Sequence, residues 1–136
     1  MEKTNKYAIN IETSLSFEEA ISKVTDLLKE EGFGILTEID VKATLKKKLD
    51  YDFKPYRILG ACNPPFARKA IEADHNIGVL LPCNVVIWDE GSHRVISAME
   101  PEIMAQLTDA GDIKQVACEV SSRIHRVMDK MKTATV

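Results

Sequence analysis

Two apolar segments, Val85-Val86-Ile87-Trp88 and Arg94-Val95-Ile96-Ser97-Ala98-Met99, flank Asp89-Glu90-Gly91-Ser92, and this hairpin constrains the fold more than any other feature. Asp, Gly and Ser are turn formers, so the two segments return on each other as antiparallel strands. That breaks the strict strand–helix alternation of a doubly wound sheet. The glycine-rich first turn of such a sheet is missing as well.

The rest of the chain is read around this hairpin. Tyr7, Ile9 and Ile11 alternate with Ala8, Asn10 and Glu12, the period of a strand with one buried face. Ser16 and Glu19 form a capping-box pattern that starts a helix. Phe17, Ile21, Val24, Leu27 and Leu28 continue it at helical spacing, and Gly32 stands at the left-handed position that ends it. Phe33 to Ile39 reads as a second strand. Asp40 caps a short helix carrying Val41, Leu45 and Leu49 on one face and Lys42, Lys46, Lys47 and Lys48 around the other. A long β-ribbon is the alternative there.

Tyr56 to Ala61 reads as a third strand. Asn63, followed by Pro64 and Pro65, is the expected start of a helix reaching Ala73, with Phe66, Ala70 and Ile71 inward. Ile77 to Leu81 and Val85 to Trp88 are expected to be strands buried on both faces, or one strand bulged at Pro82-Cys83-Asn84. Pro101 to Ala110 reads as a connector with one helical turn. The last helix begins near Asp112 and carries Ile113, Val116, Val120, Ile124, Val127 and Met131 on one stripe, while 132–136 fray. The order predicts an α+β fold: one domain over residues 1–136, with a mostly antiparallel, curved sheet of about five strands and helices packed on one face.

Hydrophobic residues make up 45% of the 136, enough for a core without a disulfide or metal staple. A net charge of −3 and no basic stripe argue against nucleic acid as a partner, since that affinity comes from neutralising phosphates. Three widely spaced cysteines suit a reducing compartment with free thiols. Met1 to Lys6 carries no signal-peptide pattern, and no apolar run reaches the roughly 20 residues that span a bilayer. The cytoplasm is the expected location, with no membrane partner. No phosphate-cradling glycine motif and no zinc-ligand spacing occurs, so no cofactor and no metal are expected.

The candidate site residues are Arg57, Cys62, Asn63, Cys83 and Asn84. Cys62 falls just before a helix N-terminus, where free N–H groups and the helix dipole favour a thiolate. Cys83 sits in a similar Cys-Asn pair, and if the two pairs meet they form a dithiol or line one pocket. The plainer alternative is that both are small packing residues, as free cysteines usually are. Cys118, beside the last helix's apolar stripe, is read as packing. Asn63 is expected to cap the helix and Asn84 to stabilise a bulge. Arg57, within an apolar strand, either holds an anion in a pocket or lays its stem over the sheet with its head in water. Of the carboxylates, only Asp40 is read as lying in an apolar segment. His75, His93 and His125 are read as solvated.

Pro55-Tyr56-Arg57-Ile58-Leu59-Gly60-Ala61-Cys62-Asn63-Pro64-Pro65, followed by Gly78-Val79-Leu80-Leu81-Pro82-Cys83-Asn84-Val85-Val86, closely resembles the domain of unknown function 302 family. The similarity extends from the first strand to the last helix. The resemblance implies a TATA-box-binding-protein-like architecture, an antiparallel sheet with helices on one side, and a homodimer. It implies no reaction, and a fold shared with a DNA-binding protein is no warrant for binding DNA. Three functions fit: a module binding a small molecule or partner in a pocket near the two Cys-Asn pairs, a thiol-dependent redox or metal-handling protein using Cys62 and Cys83, or a homodimeric interaction subunit.

Overall fold

Ser16 and Glu19 close the capping box that their spacing predicts. The Ser16 hydroxyl accepts from the Glu19 amide at 3.1 Å, and the Glu19 carboxylate accepts from the Ser16 amide at 3.2 Å. They begin helix α1, Phe17–Glu30. Gly32 (φ +89°) ends it: its amide donates to Lys29 O and that of Phe33 to Leu28 O, which satisfies two otherwise orphaned carbonyls. This is a computed structural model, and it describes residues 2–3 and 6–134.

Six strands form one antiparallel sheet in the order β1-β2-β6-β5-β4-β3. They are β1 Glu2–Lys3, β2 Ala8–Thr13, β3 Gly34–Asp40, β4 Tyr56–Cys62, β5 Cys83–Asp89 and β6 Arg94–Met99. The expected hairpin is β5–β6, paired from Asp89 opposite Arg94. Helix α2, Val41–Leu49, forms as expected in preference to a ribbon, with Asp40 Oδ1 accepting from the Ala43 amide at 2.9 Å. Helices α3 (Pro64–Ala73), α4 (Glu102–Gln106) and α5 (Gly111–Thr133) complete the chain. Helix α5 is intact to Thr133 rather than frayed from 132, and residues 135–136 of that expectation lie outside the described residues.

Alternation in the strands points Ile9, Ile11, Leu59, Val85, Ile87 and Ile96 at the helices, where they are buried against the α1 and α5 stripes. Each such fully buried aliphatic side chain contributes about 2 kcal/mol by leaving water. The opposite face has no helix over it and is mixed, with Asn10, Asn84 and Ser97 among its residues. Register places Ile39, Ile58 and Val86 side by side there, and the Tyr56 and Trp88 rings stack next to them at 5.8 Å and 6°.

One expected element is wrong. Ile77–Leu81 is not a strand but most of a 3-10 helix, His75–Leu80. The reason is local: the Asp74 carboxylate accepts from the Asn76 amide at 3.0 Å, and Asp74 O accepts from the Ile77 amide at 3.0 Å, which starts a tight turn. The turn sends Ile77 into the core and leaves Val79 exposed, so the apolar run is not buried on two faces. The strand resumes only at Cys83, after Pro82.

Candidate functional site

At the end of the sheet where β4 finishes and β5 begins, the strands stop short of the helices and leave a hollow of about 290 Å³. Ala61, Cys62, Asn63 and Cys83 form its sheet side. Phe66, Ala67, Ala70 and Ile71 of α3 form another wall, and Met104, Val116 and Val120 close it from α4 and α5. Local sequence explains the gap. Ala61 is paired with Cys83, two small residues side by side on the helix-facing surface, and α3 adds two alanines opposite them. At the rim, register slips between Ile35 and Thr37, so that Leu36 is an extra residue in β3. Such a bulge re-aims its side chain. Leu36 lines the hollow while 66% exposed, and with Ile71 it marks the mouth.

Of the five residues singled out from sequence, the fold brings three together: Cys62, Asn63 and Cys83 line this one hollow. Asn84 does not join them. It follows Cys83 in a strand, so it points to the helix-free face opposite Gly60. Nor does Arg57, five residues back along β4 and about 17 Å away by strand rise. Its guanidinium is bonded to Glu38 (2.7 Å) and Glu18 (3.3 Å), lies 3.8 Å from Asp40 and stacks over Phe17 at 5.5 Å. Three carboxylates around one guanidinium leave no place for an anion, so neither earlier reading of Arg57 describes it.

Asn63 holds the N-cap position of α3 but makes no side-chain cap. Its Nδ2 instead donates to Glu31 O, the carbonyl just past α1, at 3.2 Å. The same carbonyl accepts from Arg123 of α5 at 2.9 Å, and the Arg123 guanidinium lies 5.2 Å from the centre of the Phe66 ring. The Glu31 carboxylate takes two hydrogen bonds from Arg126, at 2.9 and 3.1 Å, and that pairing holds its pKa below the usual value. One backbone carbonyl thus ties α1, α3 and α5 together behind the wall of the hollow. Gly32 is needed here too, because a Cβ there would stand 3.0 Å from Asn63 Nδ2.

The thiols are not activated. Burial raises the Cys62 pKa, and burial followed by the nearby Cys62 pushes Cys83 up to about 11. The helix N-terminus does not reverse this for Cys62, contrary to the expectation of a stabilised thiolate. Pro64 and Pro65, at the first two helical positions, have no N–H to offer it. Both thiols are therefore neutral, polarisable S–H groups on residues that line the hollow. Cys118 is exposed rather than packed. Among the described residues no three or more His, Cys, Asp or Glu side chains converge as a metal site.

A polar cluster that sequence reasoning missed lies elsewhere. Glu100, only 4% exposed, accepts from Ser121 Oγ at 2.8 Å and from the Glu102 amide at 3.2 Å, and its other oxygen lies 2.7 Å from His125 Nε2. His125 is thus tied to a buried carboxylate, not simply solvated. The one visible signal was Ser121 and His125 four residues apart, on one helix face.

These features define an α+β fold with one antiparallel sheet, one helical layer and an apolar hollow where the two part. The chain matches the family described as domain of unknown function DUF302 over residues 9–131, and it belongs to that family. Its structure is similar to that of an uncharacterized conserved DUF302 protein from Bacillus stearothermophilus, with a TM-score of 0.85 and 26% identity over 93% of this chain and 99% of the other. No curated protein matches the chain. Among the described residues no helix is long and apolar enough to cross a membrane.

Proposed function

We propose that the chain is a binding module for a small, largely apolar molecule, received in the hollow beside Cys62 and Cys83. The observation that supports this is the lining: aliphatic, aromatic and sulfur groups with one buried amide among them, the usual make-up of a small-molecule site. A thiol enzyme is less well supported, because both thiols stay protonated at neutral pH.

Filling the hollow tests the reading. Ala67→Phe places a phenyl ring in it from the half-buried side of α3, and is expected to weaken any hit from a small-molecule thermal-shift screen by about tenfold or more. The fold, read by far-UV circular dichroism, is expected to persist. Hits that bind Ala67→Phe as well as wild type would place the ligand elsewhere.

We also propose that two copies pair through the helix-free face of the sheet. The row Ile39, Ile58 and Val86 with the Tyr56–Trp88 stack supports this, an apolar patch beside the polar Ser97 and Asn10 on the same face. Val86→Lys at the centre of that face is expected to convert a sedimenting dimer to monomer without unfolding it. A dimer that survives the lysine would rule this face out.

A further inference from the structure

We infer that the molecule in the hollow carries a zwitterionic head, which lies outside it in a groove between α3 and α5. This rests on the hollow being the binding site and adds the chemistry of what enters it. No ionised side chain lines the hollow, so a charge carried inside would lose its hydration without compensation. Only an uncharged body fits there. For size, a dry cavity of about 150 Å³ is known to hold benzene, so 290 Å³ accommodates a fused two-ring system. Any charge on the molecule must stand beyond the wall.

Phe66 and Val116 belong to two spaces at once. Besides the hollow they line a wider groove of about 710 Å³, whose other residues include Lys69, Glu72, Asp112, Gln115 and Glu119. Two of these charges are neutralised within the chain. Glu72 accepts from Arg68 Nε at 2.7 Å, and Glu119 accepts from Arg123 Nε at 3.2 Å. One charge of each sign remains. The Lys69 ammonium lies 5.8 Å from the centre of the Phe66 ring and pairs with no carboxylate among the described residues. Asp112, in the first turn of α5, pairs with no cation among them. A head of a single sign would meet one like charge as well as one opposite charge. A spare ammonium and a spare carboxylate beside an apolar hollow instead match an α-amino acid with a large apolar side chain, its carboxylate toward Lys69 and its ammonium toward Asp112.

Isothermal titration with tryptophan, indole-3-propionate, tryptamine and 3-methylindole decides the matter. All four present the same ring system, and their heads are a zwitterion, an anion, a cation and none. Wild type is expected to bind tryptophan about fivefold more tightly than either singly charged compound, the worth of one good surface ion pair. In Lys69→Met, tryptophan and indole-3-propionate are expected to lose about that factor and tryptamine to lose nothing. Asp112→Asn is expected to weaken tryptophan and tryptamine and to spare indole-3-propionate. Both positions are exposed, so the fold is expected to survive either change. A singly charged compound that binds wild type as tightly as tryptophan would overturn the head assignment, and so would a tryptophan affinity that neither substitution moves. Binding of 3-methylindole in those cases keeps the hollow as a site. If none of the four binds, the hollow falls with the head.

Discussion

Gly60→Ala is expected to destabilise the protein by about 2 kcal/mol, a large cost for one methyl group on a strand. A side chain at this position would point to the helix-free face, where an extra methyl is ordinarily harmless. Here a Cβ would run into Thr37 Oγ1 and stand 2.8 Å from Pro82 Cγ. The two neighbours differ in how far they can yield. Thr37 is exposed on the edge strand and can turn its hydroxyl away, whereas the Pro82 ring is rigid and joined directly to Cys83, the first residue of β5. Most of the penalty therefore comes from Pro82. Urea unfolding of Gly60→Ala, with and without Thr37→Ala, separates the two. The second substitution is expected to restore less than half of the loss. Full recovery would make Thr37 the real obstacle, and a Gly60→Ala variant within about 0.5 kcal/mol of wild type would show that the strand end gives freely.

Gly60 illustrates what a sequence conceals. Its neighbours on the strand looked ordinary, and the reason for glycine lies 23 residues earlier, in the edge strand, and 22 later, in the loop before β5. Signals carried within one turn of chain were legible: the Ser16–Glu19 box, Gly32 at the end of α1, Asp40 starting α2, the β5–β6 hairpin. Ile77 to Leu81 misled because an apolar run states that residues are hydrophobic without saying whether backbone bonds close locally or across strands, and Asp74 closes them locally. The site was partly legible for a related reason. Cys62, Asn63 and Cys83 stand where secondary structure changes, and strand ends are where a sheet parts from its helices. Asn84 and Arg57 were assigned to the same place by proximity in the chain, but the two-residue period of a strand sends Asn84 to the other face and seventeen ångströms or so of β4 separate Arg57 from the hollow. Of the helical walls, Phe66, Ala70 and Ile71 of α3 and Val116 and Val120 of α5 were read as inward-facing, but not that they meet around one hollow. Ala67 and Met104 differ in no visible way from other helix residues, and only tertiary packing selects them.

The Glu100 cluster is where the second large effect is expected, and it carries a pH signature. Burial alone would raise the pKa of this carboxyl, but the bonds from His125, Ser121 and the Glu102 amide outweigh it and leave the pKa below the ordinary 4.5. A carboxyl whose folded-state pKa is lowered binds its proton more readily in the unfolded chain. Its contribution to stability is thus complete above the ordinary value and disappears as pH falls through the folded-state value. Glu100→Ala removes the acceptor for the buried Ser121 hydroxyl and the Glu102 amide, and is expected to cost about 3 kcal/mol near neutral pH. Glu100→Gln, which keeps the shape and one acceptor, is expected to cost about half as much. Denaturant titrations of wild type and Glu100→Gln at a series of pH values give the test. The gap between them is expected to stand above the ordinary value of 4.5 and to close as pH falls below it, as wild type takes up the proton the glutamine mimics. A gap that stays open into strong acid would mean that the wild-type carboxyl is not losing a charged-state advantage, and one that closes well above pH 5 would mean that burial, not the three donors, governs this group.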